Sequence, residues 1–202
     1  MIVIVDYGMG NLASVANAFY SFGEDVLITS DREKVLKASG VVLPGVGACG
    51  DAMKNLKGLS LDSAILDFIS SGRPFMGICL GMQLLFERSY ENGEHKGLGV
   101  LRGEVLRFNV DLPVPHMGWN DVRVVKESPF LNDIEDGSYF YFDHSYYVEP
   151  YEKNIIGLEC EYGIKFPAAI VKENVFGVQF HPEKSYKKGL KLLKNFINIV
   201  KR

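Results

Sequence analysis

Cysteine and tryptophan are scarce in this chain of 202 residues, which has three cysteines (Cys49, Cys79 and Cys160) and one tryptophan. So small and odd a number of cysteines argues against a disulfide framework and predicts a reducing compartment, the cytoplasm. The sequence also lacks any apolar run near the ~18 residues that a membrane-spanning helix needs. Its first residues, Met1–Asp6, have no basic segment and reach an acid at once, which is not typical of a signal peptide.

An excess of charge of either sign is missing as well. The chain has 22 lysines and arginines against 25 aspartates and glutamates, a net charge of −3, which argues against a protein that mainly neutralises nucleic-acid phosphates. The hydrophobic fraction of 47% and the charged fraction of 23% are those of globular proteins, so disorder, collagen and coiled coil are excluded. At roughly 150 residues per domain, and without a repeat or linker, we expect one domain over residues 1–202.

What the first half does contain is an alternation of short apolar runs with helical patterns. The predicted strands are Ile2–Val5, Val26–Thr29, Val41–Leu43 and Phe75–Cys79. The predicted helices lie after Asn11, a plausible N-cap, over Asp31–Ala38, and over Leu61–Ser71 with Gly72 as the stop. Continuous apolar strands between helices predict a parallel sheet that is covered on both faces.

The second half is rich in strand patterns separated by turn residues. They are Val100–Phe108, Asp121–Val125, Tyr139–Tyr147, Ile155–Glu161, Ala168–Val171 and Val175–Phe180. A closing helix presents one apolar face, formed by Tyr186, Leu190, Leu193, Ile197 and Val200. We therefore predict an α/β fold with a central mixed, largely parallel sheet flanked by helices, in flavodoxin-like layering.

Cys79 stands in a sequence context that favours nucleophilic chemistry. Gly77–Gly81 follows an apolar strand and opens a predicted helix over Leu80–Glu87, which is the pattern of a nucleophile elbow. A thiol at a helix N-terminus has its thiolate stabilised by the backbone amides. A buried, inert cysteine is the alternative, and we expect that fate for Cys49 and Cys160, which lack this context.

A base for such a thiol is suggested by His181 and Glu183, which flank Pro182 at the end of a strand. Residues two apart in extended backbone point the same way, so this carboxylate can orient this imidazole, as in a nucleophilic triad. An oxyanion hole needs N–H donors, and the N–H of Leu80, directly after the nucleophile, is one. Gly45, Val46 and Gly47 could supply a second, or could form a plain turn.

Three other interpretations carry less support. Gly8–Ala13 fits the glycine pattern of a dinucleotide-binding loop, with Asp31 about 20 residues on, but no second domain remains for a redox substrate. The histidines and cysteines show no paired metal-ligand spacing, so we expect no metal and no cofactor. The closing helix and its flanks carry seven cations that indicate either an anionic partner or, more simply, a solvated face. They are Lys184, Lys187, Lys188, Lys191, Lys194, Lys201 and Arg202.

Together, Gly77–Gln83 and His181–Glu183 resemble the class I, triad-type glutamine amidotransferases. Four further motifs are similar to the branch of that family that serves histidine biosynthesis, and the match spans residues 6 to 185. These motifs are Asp6–Leu12, Pro44–Gly47, Pro115–Asn120 and His181–Ser185. The resemblance implies that Cys79 attacks the side-chain amide of glutamine, with His181 as general acid and base and Glu183 as its orienting partner.

The resemblance also implies binding roles. Gln83 binds the glutamine, and Glu91 and His144–Ser145–Tyr146 match positions that hold its amino and carboxylate groups. The ammonia passes to a separate (β/α)8-barrel cyclase subunit that makes imidazole glycerol phosphate and aminoimidazole carboxamide ribotide. Five residues match the barrel-facing surface of this heterodimer: Asn11, Met117, Trp119, Tyr141 and Lys184. One departure is Asp143, where the family usually has an apolar residue.

Two alternatives stay open at this point. The chain could be a glutaminase that feeds a different synthase, or a non-catalytic nucleotide-binding or regulatory module. For the glutaminase we further hypothesise that a peptide flip within Gly45–Gly47 forms the oxyanion hole only when the partner has bound its ligand.

Overall fold

A computed structural model describes all residues of the chain, Met1–Arg202. Thirteen strands form two sheets. They are β1 (Ile2–Val5), β2 (Val26–Thr29), β3 (Gly40–Gly45), β4 (Phe75–Cys79), β5 (Phe86–Ser89), β6 (His95–Lys96), β7 (Leu101–Arg107), β8 (His116–Val124), β9 (Ser138–His144), β10 (Tyr146–Pro150), β11 (Ile156–Tyr162), β12 (Ile164–Lys172) and β13 (Val175–Val178).

Six α-helices connect or cover these strands. They are α1 (Leu12–Tyr20), α2 (Arg32–Lys37), α3 (Cys49–Gly58), α4 (Leu61–Ser70), α5 (Leu80–Gln83) and α6 (Tyr186–Val200). Short 3-10 turns lie at Pro129–Leu131, Lys153–Ile155 and Pro182–Lys184. None of the helices combines the length and the apolar composition that crossing a membrane requires.

The main sheet has nine strands in the order β2-β1-β3-β4-β13-β12-β11-β8-β9. The mixed α/β sheet is thus confirmed, with parallel pairing in its first five strands and antiparallel pairing between the remaining neighbours. A second sheet, β10-β7-β5-β6, lies beside it and was not expected from the sequence. Four of the eight strand pairs in the main sheet are parallel, so the parallel part is half rather than most of it.

The core consists of two buried clusters that the main sheet separates. Ile2 and Ile4 of β1 belong to one cluster, whereas Val3 and Val5 belong to the other. Alternate side chains of a strand point to opposite faces, so a fully apolar strand buries both faces, as predicted for Ile2–Val5. Burial of each large apolar side chain stabilises the fold by roughly 1.5–3 kcal/mol. The two clusters therefore fix the central strands, and the candidate site lies at the carboxyl end of one of them, β4.

Three local expectations are wrong. The helix predicted over Leu80–Glu87 ends at Gln83, because Phe86 pairs with Leu101 in the second sheet. The strand predicted over residues 139–147 is interrupted at Ser145, where the chain passes from one sheet to the other. Tyr186 is 77% exposed and does not join the buried face of α6.

Candidate active site

Cys79 lies where β4 ends and α5 begins, in a sharp turn with φ 54° and ψ −112°. A Cβ at Gly77 would lie 2.6 Å from the carbonyl oxygen of Gly81, and one at Gly81 would lie 1.8 Å from that of Leu43. Both positions therefore need glycine for steric reasons. The turn holds Cys79, a residue other than glycine, in the left-handed region, a strain that clusters at functional sites.

His181 and Glu183 form a buried pair, with His181 Nδ1 2.9 Å from Glu183 Oε1. Their side chains are 5% and 2% exposed, so this is not a solvated surface contact. Burial lowers the pKa of His181, but hydrogen bonds to Cys79 and Glu183 outweigh it and raise the pKa to about 10. The structure thus brings Cys79, His181 and Glu183 together.

The other two thiols have a different environment. Burial raises the pKa of Cys49, and it raises that of Cys160 to about 12. Both are free and buried. Neither thiol therefore forms the reactive thiolate readily.

A cavity of about 360 Å³ opens above Cys79. It collects most of the residues predicted for substrate and oxyanion binding. Its lining is Val46, Gly47, Ala48, Cys79, Leu80, Gln83, Glu91, Pro115, Asp143, His144, Ser145 and Tyr146. A groove of about 970 Å³ elsewhere is larger, but its lining has no cysteine or histidine.

The segment Gly45–Gly47 lies beside the nucleophile, since Gly45 pairs with Cys79 across β3 and β4. Gly47 has φ 97°, which favours glycine, and Val46 is 45% exposed to the cavity side. The loop that resembled a dinucleotide-binding motif packs on this segment instead. A Cβ at Gly10 would lie 3.5 Å from the backbone of Gly45.

This packing argues against the nucleotide interpretation of the loop. The backbone of Gly45 is in van der Waals contact with the position of a Cβ at Gly10, so this side of the loop packs against protein rather than facing open space. Asp31, the acid that would bind a ribose, caps α2 by accepting from the N–H of Glu33 at 2.9 Å. No group of three or more potential metal ligands is clustered in the structure.

The predicted substrate-binding residues are held by internal hydrogen bonds. Gln83 donates from Nε2 to the Tyr146 carbonyl at 3.0 Å. Glu91 accepts from the N–H of Cys49 at 2.8 Å through one oxygen, so α3 fixes this carboxylate at the cavity wall. The imidazole of His144 uses both nitrogens inside the protein, so neither is free for a ligand.

A buried line of polar side chains behind the cavity was not expected from the sequence. Asn120 Nδ2 lies 3.2 Å from His116 Nε2, and His116 Nδ1 lies 3.0 Å from His144 Nε2. His144 Nδ1 in turn lies 2.8 Å from the Tyr146 carbonyl, which can only accept. Neutral His144 must therefore carry its proton on Nδ1 and accept at Nε2. His116 must then donate to His144 from Nδ1 and accept from Asn120 at Nε2. Burial lowers the pKa of His116 to about 4 and that of His144 to about 3.

The same line continues to the nucleophile through Gln179, the other residue that sequence reasoning missed. Gln83 Nε2 donates to Gln179 Oε1 at 3.0 Å, and Gln179 Nε2 donates to Cys79 Sγ at 3.6 Å. Gln179 is fully buried. A glutamine within the apolar run Val175–Phe180 was the available signal, because a buried amide needs partners.

Of the five residues predicted to face a partner, Met117 and Trp119 are strongly exposed, at 61% and 44%. They lie on β8 opposite Asp143 and Tyr141 of β9. Tyr186, which the helical pattern places on the apolar face of the closing helix, instead stacks on Trp119 with ring centroids 5.1 Å apart.

The remaining three are placed as follows. The ammonium of Lys184 lies 5.4 Å from the centre of the Tyr141 ring. Tyr141 also holds the loop of the candidate base, since its carbonyl accepts from the N–H of His181 at 2.9 Å. Asn11 is exposed and caps α1 through the N–H of Ser14 at 3.2 Å.

The lysines of α6 support the simpler of their two interpretations. Lys188 pairs with Glu135, and Lys191 with Asp133. Beyond the helix, Lys201 pairs with Glu24. Three of the seven cations are therefore paired with acids of neighbouring segments, as on an ordinary solvated face.

Comparison with known proteins agrees with this geometry. The family model described as Glutamine amidotransferase class-I matches residues 3–200. The imidazole glycerol phosphate synthase subunit HisH of Aquifex aeolicus is 51% identical, over 96% of this chain and 94% of the relative. The subunit of the same name from Caldanaerobacter subterraneus is 49% identical, over 100% of this chain and 99% of the relative. The subunit HisH 1 of Methanococcus maripaludis is 46% identical, over 99% of this chain and 100% of the relative.

Two solved structures share the fold at lower identity. A glutamine amidotransferase superposes with a TM-score of 0.78 at 17% identity, covering 100% of both chains. PurLQS from Thermotoga maritima gives 0.74 at 20% identity, covering 98% of this chain and 97% of the other. The chain belongs to the class I glutamine amidotransferase family and, within it, to the HisH subunits of imidazole glycerol phosphate synthase.

Proposed function

We propose that this chain hydrolyses L-glutamine to L-glutamate and ammonia, with Cys79 as nucleophile, His181 as general acid and base, and Glu183 as the group that orients His181. The observation that carries the proposal is the meeting of an elbow cysteine with a buried histidine–glutamate pair beside one cavity. Cys79 has a strained backbone, and the side chains of His181 and Glu183 are buried. Folding alone does not require a strained residue or buried ionisable groups, whereas active sites often contain both.

The reaction follows from the properties of these side chains. The Cys79 sulfur attacks the side-chain amide carbon of glutamine, so a C–S bond forms and the carbonyl oxygen becomes negative. N–H groups of Leu80 and of the segment Gly45–Gly47 stabilise that oxygen. The proton held on His181 goes to the departing nitrogen as the C–N bond breaks, and ammonia leaves. Water, deprotonated by His181, then hydrolyses the thioester and releases glutamate.

The cavity wall suits the other end of the substrate. The carboxylate of Glu91 attracts an ammonium group, and Cys49 holds it in place. The chain turns between sheets at His144–Tyr146, which leaves backbone groups at the wall to bind a carboxylate. Gln83 supports this strand by its hydrogen bond to Tyr146.

We further infer that the ammonia serves the (β/α)8-barrel cyclase subunit of imidazole glycerol phosphate synthase in the cytoplasm, as part of a heterodimer. The relatives' name and the exposed aromatic surface at Trp119 support this partner. Isolated glutaminase activity would waste ammonia, so we expect Gly45–Gly47 to complete the oxyanion hole only in the complex with the cyclase's ligand.

The test is glutamate release by the chain alone, with the cyclase, and with the cyclase and its ligand. We expect Cys79→Ala to lower the rate in the full complex by at least ~1000-fold, since no other group replaces the nucleophile. The matched control is Cys160→Ala, which removes a buried thiol elsewhere and should stay near wild type. Residual turnover near wild type in Cys79→Ala would refute the mechanism, and equal rates in all three mixtures would refute the gating.

A further inference from the structure

The side chain of Gln179 makes a direct contact with the sulfur of the candidate nucleophile. Its Nε2 donates to Cys79 Sγ at 3.6 Å, and the glutamine is completely buried. Cys79 itself is only 5% exposed, so few water molecules can solvate its sulfur. A buried thiolate needs hydrogen-bond donors in place of water, and an amide N–H that points at it is such a donor.

The direction of this hydrogen bond is fixed by its neighbours. The Tyr146 carbonyl has no proton, so Gln83 must face it with its NH2 group. The same NH2 group faces Gln179, which must therefore present its oxygen to Gln83. The NH2 group of Gln179 is then left for Cys79 and cannot be exchanged for the oxygen without breaking two hydrogen bonds.

We propose that Gln179 is a positioning residue of the glutaminase site: its side-chain N–H holds the Cys79 sulfur in place and stabilises the thiolate. The inference rests on the proposed role of Cys79 as the nucleophile. It adds a donor on the sulfur itself, whereas His181 and the backbone N–H groups handle the proton and the oxyanion.

The test compares two matched replacements of a buried amide by a carboxyl group. Gln179→Glu keeps the size of the side chain but replaces the NH2 group by a carboxyl oxygen, which has no proton to donate when the carboxyl group is ionised. Asn195→Asp makes the same change at a buried asparagine of α6, which donates to the carbonyls of Phe130 and Asn132. Gln179→Met, which has no donor and no charge, provides a second variant should the carboxyl group prevent folding.

The measurement is the rate at which iodoacetamide alkylates Cys79 between about pH 6 and about pH 10, with peptide mass spectrometry to separate the three cysteines. We expect the midpoint of the rate-versus-pH curve to rise by about one pH unit in Gln179→Glu and the rate at neutral pH to fall roughly tenfold. Gln179→Met should shift the midpoint in the same direction. Asn195→Asp should keep the wild-type curve, because its side chain is remote from the sulfur.

The outcomes separate the two proposals. A wild-type Cys79 that is no more reactive than Cys49 and Cys160 would overturn the proposed function and the inference together. A reactive wild-type Cys79 whose curve is unchanged in folded Gln179→Met, which has no donor in any protonation state, would overturn only the positioning role. In the complex, the positioning role also requires that kcat of glutamate release falls by a larger factor than KM rises.

Discussion

The hydroxyl of Tyr7 is buried against the backbone of Gly45 without a hydrogen-bond partner. An added Cβ at residue 45 would lie 2.2 Å from this oxygen, so the tyrosine fills the space that a side chain there would need. Burial raises the pKa of Tyr7, which keeps the hydroxyl protonated at any physiological pH. The site therefore contains an unsatisfied donor directly under the segment assigned to the oxyanion hole.

Replacing this tyrosine by phenylalanine should stabilise the protein. Tyr7→Phe removes an unsatisfied hydroxyl and keeps the ring, so we expect the free energy of unfolding in urea to rise by about 1 kcal/mol. Tyr162→Phe is the matched control, since the Tyr162 hydroxyl donates to the Pro113 carbonyl at 2.7 Å and its removal should lower the same quantity by about 1 kcal/mol. Equal losses in the two variants would contradict the assignment of an orphaned hydroxyl.

Site residues that lie close together in the sequence could be predicted from it, whereas contacts between residues far apart in the sequence could not. Cys79 follows from five consecutive residues around a turn, and His181 with Glu183 from a spacing of two. Gln179 reaches Cys79 across 100 positions, and His116 meets His144 across 28. Such contacts depend on the register between strands, which no local pattern specifies.

At the scale of elements, the misses have separate physical origins. The buried residues of helix α3, Cys49, Ala52, Met53 and Leu56, do have helical spacing, but its N-cap, Ala48, makes no side-chain hydrogen bond, so the start of this helix carries no sequence signal. Helix α5 ends after four residues because the second sheet takes over the apolar residues that follow. Helix α4, with a full apolar face and Gly72 at its end, was predicted to within one residue.

The antiparallel pair of β8 and β9 places His116 opposite His144 and should make stability depend on pH. Their pKa values, about 4 and about 3 in the fold, lie below the ordinary 6.5, so the unfolded chain binds protons more readily. Their contribution to stability is complete above about pH 6.5 and is lost as the pH falls through about 4 and 3. Protonation of His144 at Nε2 would also place this N–H against the N–H of His116 Nδ1, so the hydrogen bond between the two rings would be lost.

We therefore expect the free energy of unfolding to fall between about pH 6.5 and about pH 5, by up to ~1.4 kcal/mol per pH unit for each histidine. Urea unfolding at several pH values in this window measures how steeply the free energy of unfolding changes with pH, at pH values above those at which most carboxylates titrate. In His116→Gln one histidine is gone, and the slope should drop by about half. An unchanged slope in this variant would show that the pair does not cause the pH dependence.

At the scale of the whole molecule, strands β8 and β9 carry the aromatic surface, and β9 also contributes Asp143 and His144 to the cavity wall. β9 is the last strand of the main sheet, and its neighbour β8 carries Met117 and Trp119 on the exposed face. The alternate residues of the same strands, His116 and His144, lie in the buried line behind the cavity. An exposed aromatic edge is a liability in an isolated protein, and a partner that covers it removes that liability.

The surface around Trp119 should therefore dominate binding of the cyclase. Trp119 contacts Tyr186 by stacking and Tyr141 edge-on, so it is a rigid aromatic anchor of the kind that contributes most to protein interfaces. We expect Trp119→Ala to weaken binding at least about tenfold by calorimetry. Tyr20→Ala is the matched control, because Tyr20 is also exposed but ends α1, at the opposite edge of the sheet from Cys79. The assignment of this surface to the cyclase would be wrong if folded Trp119→Ala bound it as tightly as Tyr20→Ala does.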